Sequence, residues 1–216
     1  MPCVNLDPIA VFDSSIPRDL QQMWFETLQK LYRSSVDAIE TLVKTPHDKD
    51  IHAPLRRAFI EEKLERSVIG HRDIQSRIET NRSGNSHVVI DAPNFKVTEA
   101  YVKSPNKIVR WASYRDSDSL VNYPLFATIE QKEELSAAMR FNAILLHGSS
   151  RRSKRELGFA VIRFPQPGFK SYLPDCINLL DRFSAASHVS EPGATENIPD
   201  SIDPKIITDR PVRKDS

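Results

Sequence analysis

Four cations crowd into the seven residues Ser149-Ser150-Arg151-Arg152-Ser153-Lys154-Arg155, with three serines among them. These residue types suit phosphate: hydroxyls donate hydrogen bonds, and a guanidinium grips two oxygens at once. Upstream, Lys96, Lys103, Lys107, Arg110 and Arg115 are interleaved with Tyr101, Trp111 and Tyr114. Rings beside cations stack the bases of single-stranded nucleic acids. The residues expected to contact nucleic acid or another polyanion are therefore Arg151, Arg152, Lys154, Arg155, Lys103, Lys107, Arg110 and Trp111. The competing account is that hairpin tips are basic for solubility and edge protection, and no established DNA- or RNA-binding motif runs through these residues. Charge favours a partner: residues 94–170 carry 13 Lys+Arg against 7 Asp+Glu, although the whole chain has a net charge of only +1. Residues 1–93 (12 against 14) and 171–216 (5 against 8) are acidic, so the basic excess coincides with the segment that reads as strands.

A second chemistry is metal-dependent phosphodiester cleavage. Such nucleases set an Asp on one strand and a Glu-x-Lys on the next, because carboxylates hold Mg²⁺ beside the phosphate. Here Asp91 precedes the strand that carries Glu99, and Lys103 follows at the same parity, but four residues on rather than two. Glu99 is anomalous in another way: it shares a strand face with Phe95, Val97 and Tyr101. His147 ends an apolar run, where a histidine can act as general base. No nucleophile or acid partner is identifiable beside it, so it reads as structural. His47 and His52 flank Asp48 and Asp50 in what reads as a polar loop, and no metal or cofactor is expected. The glycines form no dinucleotide or Walker loop, and Ser149 has no nucleophile elbow around it. Cys3 and Cys176 are too few for a disulfide framework and read as reduced thiols.

The elements that position these residues follow from periodicity. Residues 1–13 hold two prolines and no repeat, and read as an extended arm. Ser14-Ser15-Ile16-Pro17 reads as a helix start. Leu20, Trp24, Leu28, Leu31, Ser35, Ile39 and Leu42 then make one long amphipathic helix over about 17–44, its stripe packing on the sheet or a second helix. Thr45–Asp50 reads as a break. Pro54 opens a weaker helix, and His71–Glu79 a short third one. Asn81–Ser86 is a turn cluster. His87–Asp91 is a strand, and Phe95–Lys103 and Lys107–Tyr114 read as an antiparallel hairpin. Asp116–Ser119 reads as a loop, and Thr128–Met139 as a helix. Phe141–Gly148 and Leu157–Phe164 are apolar on both faces and should be central strands. Leu173–Phe183 reads as a last helix, and Ala185–Ser216 as a disordered tail.

The expected fold is α+β: N-terminal helices followed by a mostly antiparallel sheet with helices on one face. Residues 1–80 form the arm and helical segment. Residues 81–184 form a β-rich segment packed with it as one domain, and 185–216 the tail. No membrane span and no secretory leader are legible, so a cytoplasmic location is expected. The favoured function is a non-enzymatic binding or regulatory module that meets nucleic acid through the basic β-region. The alternatives are a protein-interaction module acting through the helical stripe, and a metal-dependent nuclease or other hydrolase using Asp91, Glu99, Lys103 or His147.

Overall fold

The structure is a computed structural model that describes residues 7–42, 48–80, 84, 86–110, 113–122 and 141–184. Three helices lead the chain: α1 (Pro8–Ser15), α2 (Arg18–Leu42) and α3 (Asp48–Ser67). Strands β1 (Gln75–Thr80), β2 (Ser86–Asp91) and β3 (Phe95–Tyr101) follow, then helix α4 (Ser113–Leu120). Strands β4 (Phe141–Ser149), β5 (Leu157–Pro165) and β6 (Tyr172–Asn178) and a short helix α5 (Leu179–Phe183) complete it. All six strands form one sheet in chain order. Every neighbouring pair is antiparallel except β3 and β4, which run parallel, Phe95 opposite Phe141 and Tyr101 opposite His147. The α+β expectation holds, and β4 and β5 pair as read from their apolar runs.

The core lies between the sheet and α1, α2, α3 and α5. Leu20, Trp24, Leu28, Leu31 and Tyr32 of α2 are all buried, as the stripe required, against Phe95, Val97, Ala143 and Leu145 and their neighbours on the sheet, and Ile39 is buried as well. Removing each such large side chain from water is worth ~1.5–3 kcal/mol, so the stripe is a main contributor to the core. The Trp24 indole N–H donates to Ser67 Oγ at 2.9 Å, tying α2 to the end of α3. The other face carries α4 and a smaller cluster of Ala100, Val102, Val109, Ile144, Leu146 and Phe169. There the Asn122 amide donates to the Asn142 and Pro165 carbonyls and accepts from the Asn142 N–H, bracing the chain after α4 across β4 and β5.

Several elements differ from expectation for identifiable reasons. The N-terminal arm is helix α1: Asp7 caps it, Pro8 fits its first position, and Phe12 is fully buried edge-on against Phe95 and Phe164. Ser14 and Ser15 do not cap α2; both hydroxyls donate back to the Val11 carbonyl. Helix α3 already includes Asp48–Asp50, with Pro54 inside it. Residues 75–80 are not helix but edge strand β1, whose outer position tolerates its charged, exposed side chains. Leu173–Asn178 imitates a helical stripe but is edge strand β6, where Pro174 is tolerated. Lys107–Arg110 is not a strand, because β3 already has β2 and β4 on its two sides. Asp116–Ser119 belongs to α4. The readings of Thr128–Met139 as a helix and of Ala185–Ser216 as a disordered tail lie outside the described residues.

Candidate functional site

The parallel pair β3 and β4 sends two chain segments off the same end of the sheet. After β4 the chain turns through the basic loop into β5. After β3 it continues through Val102–Pro105. Gly148 lets these two segments meet: a Cβ there would lie 2.4 Å from the Val102 carbonyl oxygen and 2.5 Å from the Phe159 ring. With no side chain in the way, the Val102 N–H donates to the His147 carbonyl at 3.0 Å, and the strand pairing shifts register at Gly148–Ser149. Gly158 admits the Ser149 backbone from the opposite side in the same manner.

The result is a cleft of about 220 Å³ lined by Lys103, Ser104, Ser149, Ser150 and Arg151, with Gly158 and Phe159 in its wall. Lys103 and Arg151 are exposed, and neither has an ion-pair partner among the described residues. Two cations and three hydroxyl-bearing residues therefore converge on one concavity, a donor set matched to phosphate oxygens. The other predicted cations are placed differently. Arg155 is committed to Asp37, at 2.7 Å, and to Glu40, both on α2. Arg152 is exposed beside the cleft. The Lys154 carbonyl is held by Arg56, and Lys154 lines a second cavity. Lys107 and Arg110 lie on the connection that crosses the opposite face, where the Val109 N–H meets the Tyr172 hydroxyl and the Arg110 carbonyl accepts from Arg115. Trp111 lies outside the described residues.

The acidic residues also separate. Asp91 stands opposite Lys96 in the β2–β3 register and pairs with Arg77. That places it on the α4 side of the sheet, whereas Glu99 faces the helices, so Asp91 and Glu99 do not form one metal site. No group of three His, Cys, Asp or Glu among the described residues is arranged to hold a metal ion. Glu99 instead meets His147: its Oε2 lies 2.8 Å from His147 Nε2, and the Tyr32 hydroxyl lies 2.8 Å from His147 Nδ1. A neutral imidazole satisfies every atom, with Nε2–H donating to Glu99 and Nδ1 accepting from Tyr32. Burial holds the Tyr32 phenol well above its usual range, keeping it a donor. Arg57 of α3 bonds Glu61 at 2.8 Å and stands 3.8 Å from Glu99. Burial, with the Glu99 charge alongside, pushes the Glu61 carboxyl up against the opposing pull of Arg57. His147 is only 1% exposed and both its nitrogens are engaged. It therefore has no free nitrogen with which to exchange a proton with a bound molecule.

The second cavity, about 170 Å³, sits above this network between α3 and the sheet end. His52, Ala53, Arg56, Tyr101, Ser149 and Lys154 line it. Sequence reasoning counted Ser149 and Ser150 among the phosphate donors of the basic loop but left out Arg56 and Ser104. Comparisons with protein-family models, with curated proteins and with solved structures find no match to this chain.

Proposed function

We propose that this protein is a binding module for phosphate-rich polyanions, nucleic acid among them, which it takes in the cleft between Val102–Pro105 and the β4–β5 loop. The observation that carries this reading is the convergence of Lys103 and Arg151 with Ser104, Ser149 and Ser150 on one concavity. Unpaired cations at such a site release counterions when a polyanion docks, so affinity falls as salt rises. The enclosed Glu99–His147 pair supplies no accessible acid or base, which weighs against hydrolysis there.

The test is fluorescence anisotropy of labelled polyphosphate and of labelled single- and double-stranded DNA and RNA over a salt series. Lys103→Ala with Arg151→Ala is expected to weaken binding and to reduce the slope of log affinity against log salt by about 2, roughly one unit per lost phosphate contact. Arg155→Ala should leave the slope unchanged, because that guanidinium is neutralised by Asp37 and Glu40. Equal slopes for the wild type and the double variant would overturn the assignment.

A further inference from the structure

We propose that the cavity beside the cleft is a base-stacking subsite, with the Tyr101 ring as its platform, and that the polyanion taken is single-stranded nucleic acid. This rests on the phosphate reading of the neighbouring cleft and adds what that reading leaves open, the chemical class of the chain that carries the phosphates.

The two cavities are neighbours, with Ser149 lining both. Lys103 and Tyr101 are two residues apart on the segment leaving β3, about 6–7 Å along an extended chain. A phosphate on Lys103 and Arg151 thus leaves the attached nucleoside next to the ring. At about 170 Å³ the cavity is smaller than the ~300–1,000 Å³ of a pocket that encloses a whole ligand, so it takes one part of a larger one. Tyr101 is 44% exposed, and its ring packs against His147 at 6.1 Å between centroids.

That contact gives the buried network a purpose. His147 is clamped from both sides by Tyr32 and Glu99, so the platform rests on a ring that does not turn. The cavity floor is fixed as well: Arg56 lies over the Tyr32 ring at 4.4 Å and bonds Ser35 and the Lys154 carbonyl. In the cavity wall, His52 Nδ1 is buried with no hydrogen-bond partner among the described residues. Lys154 also lines this cavity, and its charge favours the next phosphate. A ring beside a helix and a hairpin stacks on the face of a base only when that base is splayed from its neighbours, which single strands permit and duplexes do not.

The experiment measures anisotropy of labelled polyphosphate, labelled oligo-deoxythymidine, and the same strand annealed to its complement. Wild type is expected to bind the single strand more tightly than the duplex. Tyr101→Ala should lose roughly ten-fold or more in affinity for the single strand, Tyr101→Phe should retain it, and all three proteins should bind polyphosphate equally. Tyr101→Leu, which keeps an apolar body against His147, should fail like Tyr101→Ala and so separates stacking from packing. Wild-type polyphosphate binding with single-strand affinity unchanged in Tyr101→Ala would overturn the subsite alone. So would a duplex bound as tightly as the single strand. Failure of wild type to bind polyphosphate would overturn the cleft and the subsite together.

Discussion

At the scale of single residues, the anomaly worth following was Glu99. A carboxylate on the same strand face as Phe95, Val97 and Tyr101 contradicts the alternation of an ordinary half-buried strand, and that much was visible in the sequence. Its resolution was not, because it needs His147 from β4 and Tyr32 from α2, and no local pattern links residues so far apart. The same holds for Arg155, which reads as one of four equivalent loop cations until α2 delivers Asp37 and Glu40 to it. The network has a measurable cost of disruption. Tyr32→Phe keeps the ring against its neighbours but leaves His147 Nδ1 buried without a donor, a penalty of ~1–3 kcal/mol. Urea unfolding should show that loss as a lower midpoint with an unchanged slope. An unchanged midpoint would mean the hydroxyl adds nothing to stability.

At the scale of elements, legibility followed the strength of the period. The α2 stripe and the two apolar strands were plain because each buries a full face or both faces. The edge strands were misread because an edge accepts exposed charges and a proline, and β1 and β6 therefore lack the alternation that marks a strand. Helix α1 was missed because two turns are too short to show a period, and Pro8 reads as extended unless the Asp7 cap is recognised with it. The candidate cleft was half legible: its basic loop stood out, while the approach of Lys103 depended on a parallel pairing that replaced the expected hairpin. Gly148 is where the two segments depend on each other. Gly148→Ala pushes a methyl group into the Val102 carbonyl and the Phe159 ring, an overpacking cost of ~1–3 kcal/mol. Because relief requires Val102–Pro105 to move away from β4, polyphosphate affinity should fall with stability. Intact affinity in a destabilised Gly148→Ala protein would show that Lys103 is positioned some other way.

At the scale of the whole molecule, no helix among the described residues is long and apolar enough to cross a membrane. The cations among the described residues of 94–170 do not form a single surface. Lys103 and Arg151 share the cleft, Arg155 turns to α2, and Lys107 and Arg110 cross the opposite face. Summed charge along a sequence could not foretell this division, because a sheet sends successive stretches to different sides. The sheet itself is two three-stranded meanders, β1–β2–β3 and β4–β5–β6, joined along the parallel seam of β3 and β4. Within each meander the paired strands follow one another closely in sequence. Across the seam, Phe95 must find Phe141 at the far end of a long intervening stretch. Closing a longer loop costs more chain entropy, and contacts distant in sequence form late. The seam that builds the cleft should therefore be the last part of the sheet to assemble. Pulse-labelled hydrogen exchange during refolding should protect amides bonded across β2–β3 and β4–β5 before those bonded across β3–β4. Simultaneous protection would place the seam in the folding nucleus instead. In the expected order, a chain caught partway through folding holds two finished meanders and no cleft, so the recognition proposed for it would be the last property the molecule acquires.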